Sequence, residues 1–198
     1  MAGLLFACLL SYLVGSIPSG LILGKGIWHI DLREHGSHNI GATNAWRTIG
    51  KQAGVLIFLC DLLKGAFGVW AGGALAGTSL ALVLGGVFAI VGHSWSLFLR
   101  FKGGKGVATG LGVILSLMPV PALLIFAIWF VIVKITGYVS LGSIVGAALV
   151  PIFAWFFGEP CATVGFGCLA AAFVIYRHKE NIQRLLAGTE SKLKAAKR

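Results

Sequence analysis

The sequence VATGLGVILSLMPVPALLIFAIWFVIVKI, residues 107–135, decides the fold of this chain. A helix needs about 20 apolar residues to cross a bilayer, and this run is longer than one ordinary span requires. Pro119 and Pro121 interrupt its middle, where a proline removes a helical hydrogen bond and restrains the residue before it. The run therefore predicts either one kinked helix or a tight hairpin of two short helices.

Apolar runs of similar character fill most of the remaining chain. Hydrophobic residues make up 58% of the sequence and charged residues only 11%, against about 25% charged residues in a soluble domain. This composition predicts an all-α integral membrane protein with a single polytopic domain over residues 1–198. The first run has no basic segment before it, so we expect a retained helix and no cleaved signal peptide. The predicted apolar segments are 3–24, 53–76, 79–99, 107–119, 121–135, 139–157 and 160–176.

The distribution of Lys and Arg distinguishes six spans from seven. With seven spans and the N-terminus outside, the turns near residues 77, 120 and 158 face outward and contain no Lys or Arg. The inward connections then hold the basic segments 25–51 and 100–105, Lys134, and the chain from Arg177 onward. Cytoplasmic loops carry such an excess, so the pattern favours a seven-transmembrane-helix bundle with a cytoplasmic C-terminus. Residues 177–198 would form a cytoplasmic interfacial helix and a basic tail.

Cations and glycines are concentrated in RFKGGKG, residues 100–106, between two apolar runs. Glycines carry no Cβ, so their N–H groups can approach a ligand closely. A helix that begins at about residue 106 would direct its unpaired N–H groups and positive dipole end at the same place. The segment therefore predicts an anion site, and phosphate is the anion we expect. The residues concerned are Lys102, Gly103, Gly104, Lys105 and Gly106. The alternative is a basic connector held by lipid head groups.

Further polar stretches fall on the same predicted face. On a helix that follows the last run, His178 and Asn181 would share a face because they are three residues apart. Ser143 lies in a shorter polar piece at the start of the sixth run. The connection after the first run is rich in side-chain donors, namely Ser37, Asn39, Thr43, Asn44, Arg47 and Lys51. Sequence-distant donors, with an Arg among them, suit a site for phosphorylated substrates.

An acid–base pair lies inside the second apolar run. Asp61 and Lys64 are three residues apart and so share a helix face. Charges within a bilayer are functional candidates, but here we favour a pair that neutralises itself against the bundle interior. The four cysteines show no Cys-x-x-Cys spacing and are interpreted as packing residues.

Several common catalytic arrangements are missing from the sequence. No His is followed five residues later by Asp, and there is no Gly-x-Ser-x-Gly elbow. The six acidic residues are scattered, so no carboxylate cluster is expected to hold Mg²⁺. We therefore expect no metal, no cofactor and no covalent acyl-enzyme, which leaves positioning and charge stabilisation. The basic balance of sixteen Lys and Arg against six Asp and Glu suits anionic substrates, and no nucleic acid partner is expected.

Three long motifs give the chain a specific resemblance. They are Ser37-x-Asn39-x-Gly-Ala-Thr-Asn44-x-x-Arg47, Gly92-His93 with Phe101-Lys-Gly-Gly-Lys-Gly-Val-Ala108, and Tyr176-Arg-His-x-x-Asn181-Ile-x-Arg184-Leu-x-x-Gly188. In this order they resemble the bacterial PlsY family, the integral-membrane acyl-phosphate:glycerol-3-phosphate acyltransferases. Tyr138-Val-Ser-Leu and Asp61-x-x-Lys64-Gly match as well, so the resemblance covers almost the whole chain. His38 stands where the family usually has glycine, and Ser96 where it generally has proline.

The resemblance implies a phospholipid-biosynthesis enzyme of the bacterial cytoplasmic (inner) membrane, with its active site facing the cytoplasm. A fatty acyl group would move from acyl phosphate to the 1-hydroxyl of glycerol 3-phosphate, giving lysophosphatidic acid and phosphate. Catalytic roles are expected for Ser37, Lys105, His178 and Asn181. Substrate binding is expected from Asn39, Thr43, Arg47, Lys102, Gly103, Gly104, Gly106 and Ser143. Its partners would be the two substrates and membrane lipid, and the enzyme would be a monomer.

Two groups could accept the proton of the attacking hydroxyl. An imidazole has an ordinary pKa of about 6.5, which makes His178 one candidate. The second pKa of a phosphate is about 6, so the substrate's own phosphate is the other. We favour the substrate phosphate, with His178 as a hydrogen-bonding positioner.

Two functions from other classes compete with this interpretation. A transporter for a phosphorylated solute needs polar groups across the membrane, whereas the outer half of each predicted span is apolar. A lipid-binding scaffold would explain the basic tail at residues 192–198 but none of the polar motifs.

Overall fold

Ten α-helices and one short 3₁₀ helix form the ordered framework of residues 1–193, the part of the chain that this computed structural model describes. In chain order they are α1 (Ala2–Ser16), α2 (Ser19–Trp28), α3 (Ala42–Thr48), α4 (Lys51–Ala76), α5 (Ser79–Ser94), the 3₁₀ helix (Leu97–Leu99), α6 (Val107–Leu117), α7 (Pro119–Thr136), α8 (Val139–Phe156), α9 (Cys161–Arg177) and α10 (Lys179–Leu186). The predicted all-α class is confirmed for these residues. Most of the predicted basic tail, from residue 194 on, lies outside them.

The run at 107–135 consists of two helices. The break falls at Met118, whose backbone is not helical at φ −147° and ψ 76°. Pro119 then occupies the first position of α7, where its fixed φ suits a helix and its missing N–H leaves no bond unmade. The alternative of a single kinked helix is therefore wrong, and the prolines divide the run as the two-helix interpretation requires.

A proline also divides the first apolar segment. α1 ends before Ile17 and Pro18, and α2 begins at Ser19, whose N–H donates to the Ile17 carbonyl at 3.0 Å. Together Ala2–Trp28 are long and apolar enough to cross a membrane as one segment. The break leaves the Ile17 carbonyl without the usual partner four residues later, and besides Ser19 the ammonium group of Lys64 donates to it at 2.7 Å.

Five helical segments of the described chain are long and apolar enough to span a membrane. The bent pair α9 and α10, which meet at 59°, makes a sixth if it is one span. α6 has 11 residues and, at about 1.5 Å per residue, is shorter than a bilayer core. The seven-span count, the outside N-terminus and the cytoplasmic C-terminus therefore stay predictions.

The described chain divides into two compact units, residues 1–113 and residues 114–193. In the first unit, α1, α4 and α5 pack through glycines that leave no room for a side chain. A Cβ at Gly15 would clash with the backbone of Ala89, and one at Gly68 would clash with the backbone of Gly85. Glycines thus let these helix backbones approach closely.

The second unit is built from α7, α8, α9 and α10. α8 packs against both α7 and α9, and the rings of Phe126 and Trp129 stack on α7 with centroids 5.4 Å apart. Gly137 ends α7 in the left-handed conformation at φ +80°, which favours glycine. This division into two units does not test the prediction of one membrane domain over residues 1–198, which stays a prediction.

Cysteine packing is only partly as predicted. Cys8 is buried in α1, whereas Cys161 and Cys168 are exposed on α9. The packing interpretation therefore holds for Cys8 and is wrong for these two.

Candidate active site

Asn44 holds the loop that carries the first polar motif. Its side-chain nitrogen, which has two N–H donors, lies 2.8–3.0 Å from three carbonyls, those of Leu32, His35 and Asn39. Its side-chain oxygen accepts the Ser37 N–H at 2.9 Å. Asn44 is 2% exposed, so its amide is shielded from water, where an unpaired polar group is costly. One buried amide therefore sets the backbone positions of both Ser37 and Asn39.

The same loop is fixed at its start by Asp31. The Arg33 guanidinium donates to this carboxylate at 2.7 Å and 3.0 Å, and Lys25 lies 2.9 Å from it. Hydrogen bonds from Arg33, and then from Lys25, hold the pKa of Asp31 well below its usual range although burial opposes the shift. The carboxylate is therefore ionised at neutral pH, and its contacts with Arg33 and Lys25 hold the first turn of the loop in place.

His38 explains the first departure from the family pattern. Its φ is +56°, in the left-handed region that glycine adopts without strain, which gives a physical reason for glycine in relatives. The His38 ring compensates by hydrogen bonding through Nδ1 to the Arg33 carbonyl at 2.9 Å. The loop conformation is therefore compatible with histidine.

The helix after this loop places Thr43 and Arg47 on one face, because they are four residues apart on α3. Both side chains are half-buried, whereas Ser37 is exposed and Asn39 half-buried. Asn39 also accepts the Gly41 N–H at 2.8 Å, just before α3 begins. The loop and α3 thus carry four of the predicted site residues: Ser37, Asn39, Thr43 and Arg47.

The glycine-rich loop lies between the 3₁₀ helix and α6. The Gly106 carbonyl accepts the Gly110 N–H at 2.7 Å, so α6 begins at Val107 as the sequence predicted to within one residue. Gly106 has φ +77°, which favours glycine at this turn. Lys102 is exposed and Lys105 is half-buried.

Gly103 and Gly104 have a packing role that the sequence did not reveal. A Cβ at Gly103 would clash with the His93 carbonyl oxygen, and one at Gly104 would clash with Nε2 of the His93 ring. The Gly104 N–H also donates to the His93 carbonyl at 3.1 Å. The two glycines are therefore needed to seat the loop on the end of α5.

Ser96 explains the second departure from the family pattern. Its φ of −63° matches the value that proline imposes, so the backbone there suits either residue. The serine hydroxyl adds a hydrogen bond to the Ser16 carbonyl at 2.5 Å, which ties this segment to the end of α1.

The second unit has its own polar centre, and a carboxylate lies in its middle. Glu190 accepts hydrogen bonds from Ser140 at 2.8 Å, from Asn181 at 2.7 Å and from Arg184 at 2.7 Å. Burial alone would raise the pKa of Glu190, but the bonds from Asn181, Arg184 and Ser140 outweigh it and the pKa is lowered. A charged Glu190 therefore joins α8, α10 and the segment after α10.

His178 lies at the bend between α9 and α10. Its Nδ1 is 2.8 Å from the Val174 carbonyl, which can only accept, so Nδ1 carries the proton. In the neutral ring Nε2 then has the lone pair, as a proton acceptor requires. Ser143 lies three residues after Ser140 on α8 and donates to the Val139 carbonyl at 2.9 Å. In the second unit Asn181 therefore belongs to the Glu190 network, while Ser143 lies one helical turn from Ser140 on α8 and His178 lies three residues before Asn181.

The predicted site residues thus form separate groups within each unit. The meeting of these groups in one pocket stays a prediction. Within residues 1–193, no set of three or more His, Cys, Asp or Glu side chains is placed to hold a metal ion. Sequence reasoning missed Asp31, Ser140 and Glu190. The available signal for Glu190 was an acid in an otherwise basic segment, two residues after the third motif ends.

Comparison with known proteins extends these motifs over nearly the whole chain. The sequence profile of the family described as Glycerol-3-phosphate acyltransferase matches residues 5–188. A glycerol-3-phosphate acyltransferase of Fusobacterium nucleatum is 45% identical over 93% of this chain and 95% of the relative. One from Desulforamulus reducens is 47% identical over 92% of both chains.

Two solved structures resemble this chain closely. Both are crystal structures of PlsY (YgiH), an integral membrane glycerol 3-phosphate acyltransferase. The glycerol 3-phosphate form gives a TM-score of 0.91 at 40% identity, covering 96% of both chains. The lysophosphatidic acid form gives a TM-score of 0.88 at 39% identity, covering 96% of this chain and 94% of the other. With the profile match, these similarities establish that the chain belongs to the glycerol-3-phosphate acyltransferase family.

Proposed function

We propose that the protein transfers a fatty acyl group from acyl phosphate to the 1-hydroxyl of glycerol 3-phosphate. The observation that carries this proposal is the likeness, at a TM-score of 0.91 over 96% of both chains, to an acyltransferase solved in its glycerol 3-phosphate form. The lysophosphatidic acid form of the same enzyme supports the product that we propose. Two cationic segments of the first unit, around Arg47 and Lys105, fit two substrates that each carry a phosphate.

The two phosphates are assigned to different segments. Lys105 and the N–H groups of Gly103 to Gly106 would hold the acyl phosphate, since a loop of glycines before a helix suits an anion. Arg47 would bind the phosphate of glycerol 3-phosphate, because a guanidinium makes two parallel bonds to phosphate oxygens. Ser37, Asn39 and Thr43 lie on the same loop and helix and would bind with it. The partial burial of Arg47 and Lys105 supports these roles, because charges screened from water act more strongly.

The chemistry proposed needs no nucleophile from the protein. The 1-hydroxyl oxygen forms a bond to the acyl carbonyl carbon, and the bond from that carbon to the phosphate oxygen breaks. Phosphate leaves with the electron pair, and the hydroxyl proton passes to a phosphate oxygen, whose second pKa is about 6. His178 and Asn181 would orient the glycerol hydroxyls, and Lys105 would stabilise charge on the leaving phosphate. The products are lysophosphatidic acid and inorganic phosphate.

The bilayer would supply the acyl chain. Five helical segments of the described chain can span a membrane, and their apolar faces would let an acyl chain lie between helices. The basic connections suggest that the polar segments face the cytoplasm of a bacterial inner membrane. We propose a monomer that needs no metal or cofactor.

A coupled assay tests this function. The detergent-purified protein is given acyl phosphate with and without labelled glycerol 3-phosphate, and phosphate release and labelled lipid are measured. We expect phosphate and lysophosphatidic acid in equal amounts, and only when glycerol 3-phosphate is present. Phosphate release that is independent of glycerol 3-phosphate would contradict the proposal. So would labelled lipid that forms with another acyl donor but not with acyl phosphate.

A further inference from the structure

Three ionisable side chains are buried together in the first unit, and the proposed chemistry uses none of them. Asp61 and Lys64 on α4 form an ion pair with 2.8 Å between Lys64 Nζ and Asp61 Oδ1. His93 on α5 places Nδ1 at 3.7 Å from the same oxygen. Their exposures are 3%, 6% and 5%. We call Asp61, Lys64 and His93 the buried ion cluster.

The buried position of the cluster carries a cost in folding free energy. Asp61 lies ten residues into α4, about 15 Å from its start at a rise of about 1.5 Å per residue. Charges at such depth in a membrane helix are costly, and apolar side chains of similar size often replace a buried ion pair without loss of stability. Stability alone is therefore a weak reason for these charges.

Lys64 connects the cluster to the break in the first helical segment. Its ammonium group donates to the Ile17 carbonyl at 2.7 Å. The neighbouring Ser16 carbonyl accepts from Ser96, three residues after His93. The segment that contains His93 is therefore held by contacts with both α1 and α4.

His93 connects the cluster to the glycine-rich loop. One edge of its ring, at Nδ1, faces Asp61, and the opposite edge, at Nε2, lies against Gly104. The carbonyl of His93 accepts the Gly104 N–H and also lies against Gly103. A rotation of the ring would therefore displace the backbone one residue before Lys105.

From these contacts we propose that the buried ion cluster positions the glycine-rich loop for phosphate binding. Asp61, itself fixed by Lys64, orients the His93 ring, and the ring sets where Gly103, Gly104 and Lys105 lie. Asp61, Lys64 and His93 are positioning residues, since none of them is proposed to touch substrate. The inference rests on the proposed function, because it assigns the loop to a substrate phosphate.

Kinetic constants of charge-free variants test the inference. KM for acyl phosphate and for glycerol 3-phosphate is measured in His93→Gln and in the double variant Asp61→Asn/Lys64→Met, which removes both charges together. KM is independent of the fraction of active protein, so it separates positioning from a loss of folded enzyme. We expect a rise of about tenfold or more in KM for one phosphate substrate, with the other within about twofold, from lost hydrogen bonding at the loop.

The melting temperature of the double variant supplies the second measurement. We expect it to stay near the wild-type value while KM for one substrate rises. A merely structural ion pair predicts unchanged KM values for both substrates, and that result would overturn the proposal. If the double variant does not fold, the KM values of His93→Gln and His93→Asn serve as the test, since neither substitution leaves an unpaired charge.

A double-mutant cycle and a matched control complete the test. Asp61→Asn combined with His93→Gln should raise KM about as much as the larger single change, because both act through one ring. Additive effects would contradict that coupling. Ser11→Ala removes another buried hydrogen bond of this unit, from Ser11 to the Gly68 carbonyl at 3.4 Å, and should leave both KM values unchanged. Turnover by the wild type tests the proposed function separately. If the wild type turns over and the variants keep wild-type KM values, the inference is refuted and the proposed function stands.

Discussion

Asn181 donates a hydrogen bond of 2.7 Å to the carboxylate of Glu190, and both side chains are buried. Asn181 is a predicted catalytic residue, whereas Glu190 belongs to none of the three motifs. Since Glu190 also accepts from Ser140 and Arg184, one carboxylate fixes the orientation of the asparagine amide. The oxygen of that amide is therefore directed by a residue nine positions away in the chain.

This contact predicts the pH dependence of stability. The folded pKa of Glu190 is lowered below the unfolded value of about 4.3, so its ionised form stabilises the fold above that pH. The stabilisation is lost as the pH falls through the folded pKa. Glu190→Gln should therefore melt at a lower temperature near pH 7 and lose less stability than the wild type on acidification. Melting curves between pH 7 and pH 3 measure both effects.

Glu180→Gln is the matched control, because Glu180 is exposed on α10 and the same charge is removed nearby. Its melting temperature should follow the wild type across the pH range. Equal curves for Glu190→Gln and Glu180→Gln would show that the Glu190 network contributes nothing. The activity of Glu190→Gln should also fall, since the neutral side chain loses its charge-assisted bond to Arg184 and holds Asn181 less firmly.

Asn44 gives a prediction about the first motif. Asn44→Ala removes the donor from three carbonyls, of which that of Leu32 is buried, and an unsatisfied buried group costs about 1–3 kcal/mol. We expect a large loss of kcat/KM, because Ser37 and Asn39 are displaced together. Asn44→Asp keeps the acceptor for the Ser37 N–H but loses the donors, so it should be nearly as defective. Thr48→Val removes only a 3.3 Å contact to the same amide and should keep most activity.

How much of the fold and of the candidate site could be predicted from the sequence depends on how far apart the contacting residues are in the chain. The break at Met118, the ion pair of Asp61 and Lys64, and the start of α6 follow from local rules of proline, helix spacing and glycine. They involve residues within one or two helical turns of each other, so local patterns are sufficient to predict the ion pair and the helix start and to offer the break as one of two alternatives.

The supporting contacts of the site could not be derived in this way. Ser140 and Glu190 are 50 positions apart, and the contact of His93 with Gly104 depends on how a loop folds back on a helix end. The sequence identified the site residues by motif but not the groups that hold them. Gly103 and Gly104 illustrate the difference, since the sequence assigned them to ligand and the structure gives them a packing role as well.

Lys105 tests the assignment of the glycine-rich loop. Lys105→Ala removes the charge proposed to stabilise the leaving phosphate, so turnover should fall by about 10²–10³, as when a stabilising donor is removed elsewhere. Steady-state assays with both substrates measure this. Lys134→Ala removes the same charge from the exposed end of α7 and should keep wild-type turnover. A Lys105→Ala enzyme with most of its activity would refute the anion site.

His178 distinguishes the two proton acceptors. Loss of a general base lowers kcat by about 10²–10⁴, whereas loss of a positioning hydrogen bond lowers kcat modestly and raises KM. Because we assign the proton to the substrate phosphate, His178→Ala should show the second pattern. His178→Asn can retain a donor toward the Val174 carbonyl and should be the less impaired variant. A fall in kcat of the larger size in both variants would identify His178 as the base.

Gly104 and Gly110 separate a glycine that packs from one that does not. An alanine at Gly104 would clash with the His93 ring, so Gly104→Ala should lower kcat/KM strongly by shifting the loop. At Gly110 on α6 the nearest atom to a Cβ is Ile90 Cδ1 at 3.9 Å, an ordinary contact. Gly110→Ala should therefore keep its activity and gain up to about 1 kcal/mol from helix propensity. Kinetics and melting of the two variants, purified side by side, measure the contrast, and equal losses in both would mean that the His93 contact does not set the loop.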